Sequence, residues 1–113
     1  MNRIKINTNE ITNWETFHNV FSKAFGFPDF YGRNMDAWID CMSSLESPED
    51  GMTSIHTEEG KTIILELENI SSLAERNKEI YEALIECSAF VNYRKLEVGE
   101  PAALTLSYNK NGT

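Results

Sequence analysis

The chain has 113 residues, of which 18 are acidic and 10 are basic, so its formal net charge is −8 at neutral pH. This charge disfavours binding to nucleic acids and to anionic membranes, whose phosphates would repel it, and it favours a basic protein partner. The length fits a single domain over residues 1–113, which can bury a core without disulfide bonds.

The two cysteines, Cys41 and Cys87, are too few for the disulfide framework of a secreted protein. Both stand among apolar residues in helical patterns, where a thiol packs as a small core side chain. Residues 1–7 are not followed by the apolar run of a signal peptide, and no stretch is long enough to cross a bilayer. We therefore expect a cytoplasmic protein.

A strand and a helix are predicted first along the chain. Alternating isoleucines indicate a strand over residues 3–7. Thr12 and Glu15 have the spacing of a capping box at the start of the helix. Gly26 is expected to end this helix in the left-handed conformation, and Pro28 prevents its continuation. The apolar face of the helix consists of Trp14, Phe17, Phe21, Ala24 and Phe25.

A second helix is predicted to begin at Asn34, a favourable N-cap. Just ahead of it, Gly32 is expected to adopt a backbone conformation that other residues resist. Asp36, Asp40 and Ser43 follow at intervals of four and three residues, which places them on one polar face. The apolar side consists of Met35, Trp38, Ile39, Met42 and Leu45.

The middle of the chain combines a long loop with a buried strand. Residues 46–61 are rich in Glu, Ser, Asp, Gly and Thr and predict a mobile loop without regular structure. The apolar run over residues 62–67 is typical of a central strand covered on both faces. Ser72 and Glu75 form a second candidate capping box, which would open a helix ending near Cys87. Its predicted inner face consists of Leu73, Ile80, Tyr81, Leu84 and Cys87.

The last third of the chain completes a predicted α/β fold. An acidic stripe on the third helix consists of Glu75, Glu79, Glu82 and Glu86. Residues 90–97 are interpreted as an extra edge strand, residues 98–101 as a turn and residues 103–108 as a final strand, with a frayed tail over 109–113. The order of elements predicts a small parallel sheet of about three strands, with or without the extra edge strand, and helices packed on it in layers.

The two aspartates on the second helix leave three interpretations open. They can form a solvated polar face, an acidic patch that binds a protein, or a catalytic carboxylate pair. Catalysis would need a cleft that separates two pKa values, and we expect a convex helix face here. His18 is interpreted as a half-buried helix residue, and His56 stands in the loop without companion ligands, so neither predicts a metal site.

The stretch from Phe27 to Met42 carries a specific set of residues. A turn with aromatic residues leads directly into the helix that bears the two aspartates. The set resembles the signature of the barstar family, the intracellular inhibitors of the ribonuclease barnase. The residues that match it are Pro28, Tyr31, Gly32, Asn34, Asp36, Ala37, Asp40 and Cys41. Outside this stretch the similarity lies in the layout of helices and strands.

The resemblance implies a protein inhibitor, not an enzyme, that binds a basic secreted ribonuclease one to one. We expect no cofactor and no metal, and a monomer is the simplest form for such an inhibitor, although the sequence leaves the oligomeric state open. Asp40 falls at the family's principal binding aspartate, Asp36 at its upstream partner, Asn34 at the inhibitory asparagine and Phe30 at the loop tyrosine. Asp40 would take the place of a substrate phosphate and accept hydrogen bonds from arginine and histidine. The expected partner-binding residues are Phe30, Tyr31, Arg33, Asn34, Asp36, Ala37, Asp40, Ser43, Ser44, Glu82 and Glu86.

Several positions depart from the family pattern. Phe30 lacks the hydroxyl of the family's loop tyrosine, and Ile39 replaces the tryptophan before the key aspartate, with Trp38 one position earlier. We interpret the latter change as a repacked core. The family's glutamate on the later helix has no clear match, and residues 46–61 form a longer loop. Together these departures suggest a barstar-like relative with its own cognate partner, and not an interchangeable inhibitor of barnase. They leave open an alternative, a barstar-like interaction module that binds a different toxin or a host protein.

Overall fold

The computed structural model describes residues 3–109, in which three parallel strands form one sheet. Strand β1 (Arg3–Asn7) and strand β3 (Leu104–Asn109) flank the central strand β2 (Ile63–Glu68). In the register, Leu65 of β2 lies opposite Ile4 of β1 and Leu106 of β3. Because the strands are parallel, each connection crosses over through helices, which cover the sheet. The predicted α/β class is confirmed.

Four α-helices lie between the strands in residues 3–109. Two of them, α1 (Trp14–Phe25) and α2 (Met35–Met42), connect β1 to β2. The other two, α3 (Ile70–Arg76) and α4 (Lys78–Glu97), connect β2 to β3. Two short 3-10 helices are found at Thr8–Glu10 and Pro48–Asp50.

The core joins the central strand to aromatic side chains of α1 and α2. Ile63, Leu65 and Leu67 of β2 are fully buried, as the apolar run predicted. Phe21 of α1 and Trp38 of α2 meet edge to face with ring centroids 5.5 Å apart. Burial of each large apolar side chain contributes roughly 1.5–3 kcal/mol, so this contact fixes α2 firmly on α1. Trp38 is fully buried, as predicted for a repacked core.

The start of α1 differs from the predicted capping box at Thr12 and Glu15. Asn13 is the N-cap, and its side chain accepts a hydrogen bond from the Thr16 backbone N–H over 2.9 Å. The Thr16 hydroxyl in turn accepts from the Asn13 N–H over 3.0 Å. A hydroxyl at the third helical position satisfies the N-cap donor in place of a carboxylate, which shifts the box by one residue.

The helices after β2 also differ from prediction. Ser72 lies inside α3 and caps nothing; the following helix is capped by Asn77, whose side chain accepts from the Ile80 N–H over 3.2 Å. Residues 90–97 are the last two turns of α4 and form no edge strand. The Asn92 side chain fixes this end of the helix to β3. Its NH2 group donates to the Leu104 carbonyl, and its oxygen accepts from the Leu104 N–H.

The segment over residues 46–61 is packed, in contrast to the predicted loop without regular structure. Thr53 and Thr57 are buried, and Met52 and Ile55 pack against the core. Backbone hydrogen bonds from Ser54 to Phe25 and from Thr57 to Leu45 tie it to the end of α1 and to the turn after α2. Of the predicted tail, Asn109 ends β3 and residues 110–113 lie outside the described part of the chain.

Candidate functional site

The loop between α1 and α2, residues 27–34, begins at a closely packed glycine. Gly26 ends α1 with φ of 68°, the left-handed conformation predicted for it. A Cβ atom at Gly26 would lie about 2.5 Å from the Ser54 side chain, so a larger residue would displace the 46–61 segment. One turn further, the Tyr31 N–H donates to the Pro28 carbonyl over 3.0 Å. The loop therefore starts from a defined turn.

Two neighbouring aromatic residues of this loop point in opposite directions. Phe30 has 74% of its surface exposed, whereas Tyr31 is buried at 9%. The Tyr31 hydroxyl and the His18 Nδ1 atom are 2.6 Å apart and share a hydrogen bond. His18 is 4% exposed, more deeply buried than predicted. Tyr31 thus anchors the loop from below, and Phe30 is displayed above it.

Burial shifts the titration of both partners in this hydrogen bond. Burial, and then the nearby Arg33 guanidinium, lower the pKa of His18 below its usual value. Burial raises the pKa of Tyr31. At neutral pH, both side chains are therefore uncharged, which suits an apolar anchor point.

Arg33 carries the unusual backbone conformation that was predicted for Gly32. Its φ is 54°, while Gly32 is not among the residues with positive φ in the described chain. The Arg33 guanidinium donates to the Asn19 side chain over 2.7 Å and to the Glu15 carbonyl over 3.1 Å. These bonds to α1 offset the strain of a left-handed arginine. The predicted contact residue Arg33 is therefore turned toward α1.

Asn34 is the N-cap of α2, as predicted. Its side-chain oxygen accepts from the Ala37 N–H over 2.8 Å, and its amide donates weakly to the Gly32 carbonyl over 3.4 Å. Asp36 follows in the first turn, where the positive end of the helix dipole favours a carboxylate by about 0.3–1 kcal/mol. Local hydrogen bonds of Asn34 thus hold the end of the loop and the start of α2.

Asp36 and Asp40 are both exposed and share one face of α2, as their spacing predicted. The face is not convex, because α4 forms a wall beside it. Together the two helices enclose an open groove of about 600 Å³, here called the α2–α4 groove. It is lined by Asp36, Ile39, Asp40, Phe90, Arg94 and Glu97.

An ion pair crosses the α2–α4 groove. The Arg94 Nη1 atom of α4 lies 3.5 Å from the Asp40 Oδ1 atom of α2, and both side chains are about half exposed. Within residues 3–109, Asp40 is the one predicted binding acid with an ion pair. The aspartate predicted to meet a partner's cations is thus already next to a cation of its own chain.

The acidic groups also act on two thiols below the groove. Burial, and then the Asp40 carboxylate, raise the pKa of Cys41 to about 11. Burial, then Glu86 and then Asp36, raise the pKa of the Cys87 thiol. Both thiols therefore stay protonated at neutral pH, which agrees with a packing role.

The other predicted site residues are less directly placed. The hydroxyls of Ser43 and Ser44 donate back to the carbonyls of Ile39 and Asp40 over 2.6 and 3.1 Å, and Ala37 is half-buried. Glu82 and Glu86 are exposed on α4 but do not line the α2–α4 groove.

Phe90, Arg94 and Glu97 of α4, which do line it, were missed because residues 90–97 were interpreted as a strand. The seven-residue spacing of the apolar residues Leu84 and Val91 continues the helical pattern and could have located them; both are buried in the structure.

Two further concavities lie on the surface, one of them at the loop between α1 and α2. A groove of about 560 Å³ between β1 and α1 includes Lys5 and Lys23, and a cleft of about 240 Å³ lies beside His18 and Asn34. Over residues 3–109, no group of three or more His, Cys, Asp or Glu side chains is arranged to hold a metal ion. Within the same range, no helix is long and apolar enough to cross a membrane.

Comparison with known proteins identifies the class. The family model described as Barstar (barnase inhibitor) matches residues 1–106. The chain therefore belongs to the barstar family.

A protein of Bacillus subtilis (strain 168) named "Putative ribonuclease inhibitor YrdF" is 40% identical over 43 residues, which is 38% of this chain. The match spans 47% of that relative's length, less than half of it.

Proposed function

We propose that this protein is a stoichiometric inhibitor of a basic, secreted ribonuclease of the barnase type, and acts in the cytoplasm of the cell that makes the enzyme. In this role it is an immunity or antitoxin protein. It binds one to one as a monomer, without cofactor or metal. The name of the Bacillus subtilis relative supports a ribonuclease as the target class.

The observation that carries the proposal is the display of Phe30, Asp36 and Asp40 on one anchored segment. Phe30 is 74% exposed although it is a large apolar side chain, and both aspartates are exposed on α2. A large exposed apolar side chain is solvated unfavourably in the free protein, and here it shares one segment with two exposed carboxylates. Such a segment suits a cationic protein pocket. In the complex, Asp40 takes the place of a substrate phosphate and accepts charge-assisted hydrogen bonds.

Charge and local order both favour this binding mode. The net charge of −8 steers a basic partner toward the site and raises the association rate at low salt. Glu82 and Glu86 extend this acidic field along α4. Since Tyr31, Arg33 and Asn34 already hold the loop in the free protein, little ordering is needed on binding.

The test is a titration of barnase with this protein in which the rate of RNA cleavage is measured. We expect a sharp loss of activity that ends at equal molar amounts. Asp40→Ala should weaken inhibition by about 100-fold or more, as expected of a hot spot; an aspartate of barstar itself is a standard example of one. Because Asp40 is exposed, the thermal unfolding of the Asp40→Ala variant should stay close to that of the wild type.

Asp50→Ala is the matched control, since it removes the same carboxylate from the exposed 3-10 helix at Pro48–Asp50. It should change inhibition by less than about threefold, an effect of net charge alone. If Asp40→Ala inhibited as well as Asp50→Ala, the proposed binding surface would be wrong.

A second candidate function is a barstar-like interaction module for a different toxin or a host protein. Two observations favour it. Phe30 lacks the hydroxyl of the family's loop tyrosine, and the Asp40 carboxylate already forms an ion pair with Arg94. Complete absence of inhibition of barnase, together with binding to another toxin that Asp40→Ala abolishes, would select this candidate.

A further inference from the structure

We propose that Arg94 tunes the specificity of the binding surface, because it pairs with Asp40 in the free protein and competes with the partner's cations for that carboxylate. The inference rests on the proposed function, since it requires Asp40 to be the contact for the partner's cations. It adds a residue of α4 to the site and assigns it an opposing role.

The geometry makes Arg94 a competitor of the partner. Its guanidinium lies 3.5 Å from the Asp40 carboxylate, on the side of α2 where the groove opens. Among the groove-lining residues, all within the described chain, Arg94 is the one base beside three carboxylates. A partner's arginine or lysine that approaches Asp40 along the groove therefore meets a like charge first.

The energy terms indicate that Arg94 competes with the partner for Asp40 and does not strengthen the complex. Both side chains of the pair are about half exposed, and an ion pair in that setting contributes little to the folded state. A complex would remove the groove from water, where like charges repel each other far more strongly. Arg94 must then leave Asp40 or stay beside the partner's cations, and each outcome reduces the affinity. A partner with a weak cation cluster therefore loses a larger share of its gain at Asp40 than a partner with a strong cluster.

The test compares Arg94→Met with Lys78→Met in the titration of barnase. Methionine keeps much of the apolar stem of Arg94 and removes the charge. We expect Arg94→Met to inhibit about 3- to 10-fold more tightly than the wild type. Lys78 is exposed at the other end of α4, about 24 Å away at 1.5 Å per residue, so it is the matched control for net charge. Lys78→Met should change the affinity less than about twofold.

The mechanism is separated from a general charge effect by combining Arg94→Met with Asp40→Asn. If Arg94 acts by occupying Asp40, the gain disappears in the Asp40→Asn background. A gain that persists there, or a gain equal to that of Lys78→Met, would overturn the inference.

The outcomes also distinguish this inference from the proposed function. Inhibition by the wild type without improvement in Arg94→Met rejects the role of Arg94 alone. Inhibition by Arg94→Met but not by the wild type supports it in its strongest form. If neither variant nor wild type inhibits barnase at any concentration, the proposed function fails and the role of Arg94 fails with it.

Discussion

Two regions present aromatic and acidic side chains to solvent: the segment from Phe27 to Ser44 and the outer face of α4. They differ in the contacts that hold these side chains in place. In the first, the exposed side chains stand on a loop fixed by Tyr31, Arg33 and Asn34 through hydrogen bonds to α1 and to the start of α2. In the second, Phe90, Tyr93 and Leu96 are exposed along a regular helix. The difference indicates where binding energy is expected, since preorganised side chains lose less entropy on binding.

The largest effect that separates the two regions is expected from their exposed phenylalanines. Phe30→Ala should weaken inhibition of barnase by about 10- to 100-fold, because an exposed aromatic side chain on an anchored loop acts as an anchor at an interface. Phe90→Ala, at the rim of the α2–α4 groove, should weaken it less than about 10-fold. Equal losses, measured as inhibition constants, would mean that α4 contributes as much as the loop.

A smaller effect is expected from two tyrosines, one buried and one exposed. Tyr31→Phe leaves the buried His18 nitrogen without its 2.6 Å partner, which should lower the free energy of unfolding by about 1–2 kcal/mol. Tyr93 is 60% exposed, so Tyr93→Phe should change the free energy of unfolding by less than about 0.5 kcal/mol. Denaturant unfolding measures both. A Tyr31→Phe variant as stable as the wild type would show that the hydrogen bond does not hold the loop.

The smallest effect concerns pH. The pKa of His18 is lowered in the folded protein, so the unfolded chain binds more protons near pH 6. Stability is therefore complete above the unfolded value of about 6.5 and falls as the pH drops through it, by at most about 1.4 kcal/mol per pH unit. We expect a lower free energy of unfolding at pH 5.5 than at pH 7.5.

His18→Gln is the control for this pH dependence, because glutamine keeps a hydrogen-bonding side chain and does not titrate. The difference between pH 7.5 and pH 5.5 should shrink in this variant. If it stays as large as in the wild type, groups other than His18 cause the acid sensitivity.

The same two regions show how far the fold could be predicted from sequence. The loop and α2 were predicted because their determinants are local: the left-handed Gly26, the N-cap Asn34 and the spacing of apolar residues. The end of α4 was misread because Phe90, Val91 and Tyr93 are residue types common in strands. Its helical state depends on tertiary contacts, such as the two hydrogen bonds of Asn92 to Leu104.

For the candidate site, the sequence located the acids but not their surroundings. Asp36 and Asp40 share a face, as a four-residue interval requires. That Arg94 pairs with Asp40 could not be predicted, since the two residues are 54 positions apart and meet only because α4 packs against α2. Likewise, the anchoring of Tyr31 by His18 joins two elements through a side-chain contact that no local pattern contains.

The most direct test of the central claim is to map the binding surface by amide chemical shifts of the labelled protein titrated with barnase. We expect the largest changes on residues 29–44, with a second group over residues 90–97 at the α2–α4 groove. Changes centred instead on the groove between β1 and α1, around Lys5 and Lys23, would contradict the claim, as would the absence of any change at saturating barnase.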